Sequence, residues 1–272
     1  MNRVAIAGLG YVGLTLSVAL ARRGVDVLGY DREPRIVEAL AAGRPHLYEP
    51  GIEEGLRELL GDRFRVVGAL PRDSVDAAVL CVSTPVDPAT GQPVLEPLRA
   101  AAGAVAEAFG PDTLVIVRST VPVGASRTVV LPQLLARWGR ARLAFCPERT
   151  IQGQALRELE ELPQVVGGFD TESRDAAAAL FRRLTPRIVP VSSLEAAEMV
   201  KLINNCHTDL IYSYGNEVAL MAERLGLDPL ELIHAANLDY PRPDLSRPGF
   251  VGGGCLSKDP YILIESVRAA GH

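Results

Sequence analysis

The sequence predicts an α/β protein in which a doubly wound parallel sheet is followed by a long central helix and a small helical domain. Short apolar runs alternate with helical patterns from the N-terminus to about residue 191, and this alternation is typical of parallel strands joined by helical crossovers. From Ser192 a helical pattern then continues for about thirty residues, which is long for a globular domain. We therefore predict two domains, residues 1–191 and 192–272.

Length and composition indicate a folded soluble protein with room for about two domains. The 272 residues are 48% apolar and carry a net charge of −5, so nucleic acid is not expected as the main partner. The apolar runs are too short to span a membrane, and the chain enters a strand without a signal peptide, so we expect a cytoplasmic protein and no membrane partner. The spacing of Cys81, Cys146, Cys206 and Cys255 does not suggest a metal site, and reduced thiols are expected.

The N-terminal segment has the order of elements that a dinucleotide site requires. A strand at residues 4–7 runs into Gly8-Leu9-Gly10-Tyr11-Val12-Gly13, and a helical segment follows and ends at Gly24. A second strand, residues 26–30, closes on Asp31. Strand, glycine turn, helix, strand and acid in this order predict a domain of the Rossmann type.

Each residue of that signature has a physical role. Gly8 allows a tight turn, Gly10 lets a pyrophosphate approach the backbone, and Gly13 lets the helix pack close to the strand. The helix N-terminus offers N–H groups to the phosphates. Asp31 can accept hydrogen bonds from a ribose diol and favours NAD over NADP, although Arg32 beside it could tolerate a 2′-phosphate. The alternative is a glycine-rich turn that binds nothing.

The remaining elements place polar loops at one edge of the sheet. We predict further strands at 64–67, 77–82, 113–117, 142–145, 164–168 and 187–191, and helices at 33–42, 52–60, 95–109, 125–138 and 171–183. Ser83-Thr84, Ser119-Thr120 and Glu148 each follow a strand end, where such sheets bind ligands. One such loop alone would be explained by helix capping, but three beside the glycine turn favour a site.

The long helix begins with an apparent capping box, Ser192-Ser193-Leu194-Glu195, and reaches Leu225. Its length suggests a spine between domains or a homodimer interface from about 193 to 225. A polar stripe runs along it, with members at steps of three and four, and on these residues alone it is explained by a solvated face: Glu198, Lys201, Asn205, Thr208 and Tyr212.

The last block, residues 240–259, is too rich in proline and glycine for regular structure. It ends with three glycines and Cys255 at the start of a helix running from about 258 to 270. The helix N-terminus and Lys258 would favour the thiolate. A reactive thiol is therefore expected, with a buried structural cysteine as the alternative.

With these residues in place, the chain resembles the nucleotide-sugar 6-dehydrogenases, which oxidise UDP-sugars to UDP-uronic acids. The matching segments occur in the family's order: Gly8-Leu9-Gly10-Tyr11-Val12-Gly13-Leu14, Tyr48-Glu49-Pro50-Gly51, Ser83-Thr84-Pro85, Ser119-Thr120-Val121-Pro122-Val123-Gly124, Cys146-Pro147-Glu148-Arg149, Lys201-Leu202-Ile203-Asn204-Asn205 and Gly252-Gly253-Gly254-Cys255-Leu256-Ser257-Lys258-Asp259. Members of the family continue into a C-terminal UDP-binding domain, which we expect to be absent from this chain.

Two segments resemble the subgroup that acts on UDP-N-acetylhexosamines such as UDP-N-acetylmannosamine. In Pro147-Glu148-Arg149-Thr150-Ile151-Gln152-Gly153, UDP-glucose enzymes usually have a phenylalanine after the glutamate and an acid at the position of Gln152. In Cys255-Leu256-Ser257-Lys258, the family more often has phenylalanine and proline between cysteine and lysine. A UDP-glucose 6-dehydrogenase is the alternative.

The resemblance implies two successive oxidations at one carbon with NAD. Lys201, or a water held by Asp259 and Thr120, would take the proton of the sugar hydroxyl. The thiolate of Cys255 would attack the resulting aldehyde. Lys201 and Asn205 would then stabilise the oxyanion of the thiohemiacetal.

A second hydride transfer would give a thioester, and Asp259 or Glu148 would act as the base in its hydrolysis. The residues expected to contact NAD are Gly8, Gly10, Tyr11, Val12, Gly13, Asp31, Arg32, Ser83, Thr84, Pro85, Ser119, Thr120, Glu148 and Lys258. Two rival functions remain, a two-electron β-hydroxyacid dehydrogenase and a non-catalytic, NAD-binding, dimerising fragment.

Overall fold

A computed structural model describes residues 1–241 and 244–271, so Arg242 and Pro243 of the predicted irregular block, as well as His272, lie outside the described residues. The chain divides into two compact units, Met1–Lys201 and Leu202–His272. The division falls inside the long helix, later than the predicted boundary between residues 191 and 192.

The first unit contains an eight-stranded sheet in the order β3-β2-β1-β4-β5-β6-β7-β8. Its strands are β1 Arg3–Ala7, β2 Asp26–Tyr30, β3 Phe64–Val67, β4 Ala77–Leu80, β5 Leu114–Val117, β6 Arg142–Phe145, β7 Gln164–Gly168 and β8 Ile188–Pro190. All neighbouring pairs are parallel except β6 and β7. The predicted doubly wound α/β fold is confirmed.

The antiparallel pair corrects the prediction that the whole sheet is parallel. The chain between β6 and β7 does not cross back over the sheet, so β7 begins at the edge where β6 ends. This connection contains a helix that was not predicted, α6 at Ala155–Glu161. As a result Gln164, the first residue of β7, lies at the same edge as the C-terminal ends of β1 to β6.

Apart from the short helix α10 at Gly253–Leu256, which was not predicted, the remaining helices lie close to their predicted positions. They are α1 Tyr11–Arg22, α2 Pro34–Ala41, α3 Ile52–Leu59, α4 Glu96–Ala108, α5 Leu131–Trp138, α7 Thr171–Phe181, α8 Leu194–Arg224, α9 Pro229–Asn237, α10 Gly253–Leu256 and α11 Asp259–Ala269. Two details differ from the prediction. The segment expected as one helix at 125–138 opens with a π-helical turn, Ser126–Val130, and Cys255 lies in the separate short helix α10.

The sheet is buried on both faces. Successive strand residues point to opposite sides of it, so neighbouring residues of one strand belong to different apolar clusters. Val4 and Ile6 of β1 belong to one apolar cluster, which includes buried side chains of α1. Ala5 and Ala7 belong to the other cluster, which includes buried side chains of α4. This is why the strands of a doubly wound sheet read as continuous apolar runs.

The long helix α8 has 31 residues, but its cap differs from the predicted one. The hydroxyl of Ser193 accepts the N–H of Ala196 at 3.1 Å, because Ser193 directly precedes the first helical residue. Glu195 does not close a capping box with Ser192; it forms an ion pair with Arg127 at 2.6 Å. Within the described residues, we find no helix long and apolar enough to cross a membrane.

Candidate functional site

The three glycines of the turn between β1 and α1 occupy three different environments. Gly8 has a φ of +94°, and a Cβ there would lie 2.8 Å from the carbonyl oxygen of Cys81. A Cβ at Gly13 would lie 1.8 Å from the carbonyl oxygen of Gly8. A Cβ at Gly10 would have no heavy atom within 4 Å. The fold therefore requires glycine at positions 8 and 13, whereas Gly10 leaves open space above the backbone.

That space belongs to a cavity of about 270 Å³ at the C-terminal edge of the sheet. Its walls include Gly8, Gly10, Asp31, Arg32 and Ser83, which the sequence assigned to the cofactor. Gly10 is the N-cap residue of α1 and has no side chain with which to cap it. The first N–H groups of the helix, in the turn that begins with Tyr11 and Val12, are therefore suited to an anion such as a pyrophosphate.

Asp31 is buried at the end of β2 and holds the glycine turn in place. Its carboxylate accepts the N–H of Leu9 at 2.8 Å and the N–H of Glu33 at 2.9 Å. A carboxylate has about four lone-pair positions, so two remain for a ligand in the cavity. Asp31 can thus organise the turn and still accept hydrogen bonds from a ribose.

The hydroxyl of Tyr11 serves a buried carboxylate. It donates to Glu49 at 2.7 Å, and burial together with this hydrogen bond raises the pKa of Tyr11. Glu49 also accepts the N–H groups of Gly153 at 2.6 Å and Ala155 at 2.8 Å. Tyr11 and Glu49 therefore join the glycine turn to the loop before α6. Sequence reasoning gave Glu49 no role, although it quoted the Tyr48-Glu49-Pro50-Gly51 segment.

The loops after β4 and β5 contribute hydroxyl groups at this edge. Thr84 is buried, and its Oγ1 has no hydrogen-bond partner among the described residues, which costs about 1–3 kcal/mol unless a ligand satisfies it. Pro85 accepts the N–H of Val94 at 2.7 Å. Ser119 is buried and donates to the carbonyl of Leu80 at 3.3 Å, while Thr120 is half-buried. An open backbone at Gly10 and an unsatisfied hydroxyl at Thr84 fit a dinucleotide.

Glu148 lies buried beyond β6 in an ion pair with Arg118 at 2.5 Å. Its other oxygen accepts the N–H groups of Arg149 at 2.7 Å and Thr150 at 2.8 Å. Burial alone would raise the pKa of Glu148, but the charge of Arg118 and these hydrogen bonds outweigh it and lower the pKa. A carboxylate held as an anion in this way is poorly suited to take up a proton near neutral pH.

Arg118 is the second buried residue that sequence reasoning did not identify. Besides Glu148, its guanidinium donates to the carbonyl of Cys146 at 3.0 Å and to the side chain of Gln164 at 2.9 Å, and it lies 5.0 Å from the ring centroid of Phe181. It directly precedes Ser119-Thr120, which is the one local signal that marks it. Arg118 therefore connects the loops that follow β5 and β6.

The second unit brings three of the predicted residues together. Asp259 is buried at the start of α11, where it accepts from Asn205 at 2.5 Å and from Lys258 at 2.6 Å. The ammonium group of Lys258, expected at the thiol and the cofactor, thus pairs with Asp259. Lys201 is half-buried and is the last residue of the first unit.

The four cysteines differ in accessibility. Burial raises the pKa of Cys81 and Cys146 to about 12, and it also raises the pKa of the half-buried Cys206. Cys255 is exposed on α10. Among the four, Cys255 has the accessibility that a nucleophile requires. In the described part of the chain, no group of three or more His, Cys, Asp or Glu could hold a metal ion.

Comparison with known proteins identifies both parts of the chain. Residues 2–185 match the model of the UDP-glucose/GDP-mannose dehydrogenase family, NAD binding domain, and residues 195–272 match the central domain of the same family. UDP-N-acetyl-D-mannosamine dehydrogenase of Campylobacter jejuni is 30% identical over 97% of this chain and 67% of its own length. The enzyme of the same name from Pyrococcus horikoshii is 33% identical over 98% of this chain and 65% of its own length. The chain thus spans about two thirds of these relatives.

Solved structures agree with this result. The UDP-N-acetylmannosamine dehydrogenase structure from Pyrococcus horikoshii superposes with a TM-score of 0.91 at 33% identity, over 98% of this chain and 65% of its own. A UDP-glucose dehydrogenase from Pyrobaculum islandicum gives a TM-score of 0.88 at 32% identity, over 100% of this chain and 65% of its own. A 3-hydroxyisobutyrate dehydrogenase from Mycobacterium tuberculosis, at 22% identity and a TM-score of 0.66, shares the fold alone.

These matches confirm the resemblance drawn from the sequence motifs and the prediction of NAD as the cofactor. The chain belongs to the UDP-glucose/GDP-mannose dehydrogenase family and carries its NAD-binding and central domains.

Proposed function

We propose that this chain forms the NAD-binding and thiol-bearing part of an enzyme that oxidises a UDP-N-acetylhexosamine, UDP-N-acetyl-D-mannosamine, at C6 to the uronic acid. The observation that carries the proposal is the exposed thiol of Cys255, four residues before the buried Asp259 that Asn205 and Lys258 hydrogen-bond, in a chain that also has an NAD-binding domain. A single hydride transfer needs no thiol, so this combination favours a four-electron oxidation over a two-electron hydroxyacid dehydrogenase.

The substrate assignment is supported by relatives and by one loop. Both curated relatives described above are UDP-N-acetyl-D-mannosamine dehydrogenases. The segment after Glu148 departs from the UDP-glucose pattern at Arg149 and Gln152. The solved UDP-glucose dehydrogenase fits the fold nearly as well, so UDP-glucose is the second candidate substrate.

When bound at the cavity lined by Gly10, Asp31 and Ser83, NAD would supply the oxidant for each of the two oxidations of the proposed reaction. Lys201 takes the proton of the C6 hydroxyl as the alcohol becomes an aldehyde. The Cys255 thiolate adds to the aldehyde carbon, and Lys201 and Asn205 stabilise the oxyanion of the thiohemiacetal. Loss of the second hydride leaves a thioester on the sulfur, which water cleaves to the carboxylate and the free thiol.

Of the two carboxylates considered as the base for hydrolysis, we assign this role to Asp259. Asp259 lies four residues after Cys255 in the same unit, whereas Glu148 lies in the other unit, held by Arg118 and two N–H groups. In the NAD-binding unit, Glu148 instead orders the loop that follows β6, because it accepts N–H groups of Arg149 and Thr150.

The test is the number of NADH molecules formed per sugar with a panel of UDP-sugars. Two per molecule of UDP-N-acetylmannosamine would support the proposal, and one would contradict it. Cys255→Ser should stop the reaction before the acid forms, whereas Cys206→Ser, at a half-buried cysteine on α8, should not. NADH binding without turnover of any sugar would favour the alternative that these residues alone form an NAD-binding, non-catalytic fragment.

We also propose a homodimer formed through α8. Four large apolar side chains on this helix are between 45% and 67% exposed: Ile203, Leu210, Tyr214 and Met221. Their steps of seven, four and seven residues keep all four within about 20° of one line along the helix, because each residue turns it by about 100°. Such a stripe is typical of a surface that pairs with another helix.

Light scattering of the purified chain tests the dimer. Leu210→Glu should give a monomer, because it places a charge in the middle of the stripe. Leu220→Glu is the matched control, since Leu220 is 53% exposed on the same helix but lies about 100° away from the stripe. Equal dissociation by both variants would refute the assignment of this face.

A further inference from the structure

The side chain of Glu198, fully buried on α8, takes part in no role assigned so far. Its two carboxylate oxygens leave the helix and accept backbone N–H groups of the chain that follows β5. One accepts from Gly124 at 2.5 Å and the other from Ser126 at 2.9 Å. Glu198 is thus a two-point acceptor for a neighbouring segment and not part of a solvated stripe, as the sequence pattern alone suggested.

The segment that Glu198 holds contains cofactor candidates. It begins with Ser119 and Thr120 and turns at Gly124, where φ is +91°. It then enters the π-helical turn Ser126–Val130, a distortion that often occurs at functional sites. Few regular backbone hydrogen bonds can order such a connection, so an acceptor from another element determines where it lies.

We propose that Glu198 is a positioning residue that fixes the loop from Ser119 to Gly124 against the central helix and thereby sets the affinity for NAD. The proposal rests on the assignment of Ser119 and Thr120 to the cofactor site. It does not depend on the sugar substrate. Lys201 follows Glu198 by three residues on the same helix, so one carboxylate also ties this loop to the helical turn that carries the proposed base.

The charge on Glu198 makes this positioning sensitive to pH. Burial raises the pKa of Glu198 to about 7, against the opposing effect of the hydrogen bonds from Ser126 and Gly124. Glu195, one turn earlier, raises it slightly further, while Arg127 pairs with Glu195 at 2.6 Å. Protonation turns one of the two acceptor oxygens into a donor that faces an N–H group, so one hydrogen bond is lost.

The experiment measures amide hydrogen exchange of residues 119–126 and NADH affinity in wild type and Glu198→Gln at about pH 6 and about pH 8.5. At the higher pH, Glu198→Gln should exchange about fivefold faster and bind NADH about fivefold more weakly, since one hydrogen bond is lost. Wild type should approach the variant at the lower pH, and the variant should change little. Glu195→Gln, which alters a side chain bonded to Arg127, is the matched control and should show wild-type exchange and affinity at the higher pH, where Glu198 is ionised in both proteins.

Two results would overturn the proposal. One is unchanged exchange of this segment in Glu198→Gln at the higher pH, and the other is unchanged NADH affinity. Thr120→Val tests the cofactor assignment separately from the role of Glu198, because it leaves both hydrogen bonds of Glu198 in place. If Thr120→Val binds NADH as wild type does, the assignment of the loop to the cofactor fails, whereas the exchange data still decide whether Glu198 orders the loop.

Discussion

A methyl group at Gly10 should separate cofactor binding from folding. The backbone there has a φ of −64° and a ψ of −166°, and a Cβ would meet no atom within 4 Å. Gly10→Ala should therefore leave the free energy of unfolding unchanged or raise it by about 0.4–1 kcal/mol, because alanine restricts the unfolded chain. The methyl group would, however, occupy the space through which a pyrophosphate approaches the first N–H groups of α1.

The expected loss of affinity follows from those contacts. Two hydrogen bonds to a charged phosphate are worth about 1.5 kcal/mol each, so losing both weakens binding about 100-fold. NADH fluorescence titration measures this loss, and urea unfolding without cofactor measures stability. Wild-type NADH affinity in Gly10→Ala would refute the assignment of this backbone to the phosphates.

Gly13→Ala is the control with the opposite expectation. Its Cβ would lie 1.8 Å from the carbonyl oxygen of Gly8 and 3.2 Å from the Cβ of Cys81. Neither atom can rotate away, so α1 must shift from the sheet at a cost of about 1–3 kcal/mol or more. A Gly13→Ala protein as stable as wild type would show that the close approach of helix and strand is not a constraint.

Three further experiments probe the buried charges. Arg118→Met should lower the free energy of urea unfolding by about 3–5 kcal/mol, because it leaves the Glu148 carboxylate buried without its ion pair. Glu148→Gln in that background should recover part of the loss. No recovery would argue against the ion pair as the cause. Tyr11→Phe and Glu49→Gln share the hydrogen bond at 2.7 Å, so a double-mutant cycle should give a coupling energy of about 0.5–1.5 kcal/mol, and strict additivity would contradict this. Folding raises the pKa of Glu198 to about 7, so between about pH 4.5 and pH 7 the folded state holds a proton that the unfolded state has lost. The free energy of unfolding therefore falls as the pH rises over this range. Glu198→Gln removes this dependence, and its stability relative to wild type should grow over that range in unfolding experiments; a constant difference would exclude a shifted pKa.

The NAD-binding half of the fold could be predicted because its signals are local. The first strands lie at or within a residue or two of their predicted bounds, since strands buried on both faces are continuous apolar runs. The three glycines could be interpreted one by one because backbone clearance is a property of the residue type itself. The edge of the sheet that carries Ser83, Asp31 and Gly10 followed from the direction of parallel strands alone.

Helix α6 shows why the rest was out of reach. Its N-cap residue, Gln154, makes no side-chain cap, and the N–H of Ala155 is instead accepted by Glu49, which is 106 residues away in the chain. A helix start of this kind leaves no serine, threonine or aspartate signal beside it. Because the prediction lacked this helix, it also lacked the reversal that makes β7 antiparallel to β6.

The acidic residues share a use that residue patterns did not reveal. Asp31, Glu49, Glu148 and Glu198 are all buried, and each accepts two backbone N–H groups of a loop at the cofactor edge or beside it. Pattern reasoning treats an acid after a strand as a ligand or a base and an acid on a helix as solvated. Irregular loops, however, carry N–H groups that no regular partner accepts, and a carboxylate with two oxygens satisfies two of them at once.

Burial of a carboxylate is costly unless hydrogen bonds or a cation compensate for it. Arg118 supplies the cation for Glu148, whose pKa is lowered, whereas Glu198 relies chiefly on N–H groups and its pKa is raised to about 7. A buried carboxylate that accepts two N–H groups therefore holds one loop in a way that is insensitive to pH near neutrality and another in a way that responds to pH. This difference can be read from the partners of each carboxylate, and those partners come from elements far apart in the chain.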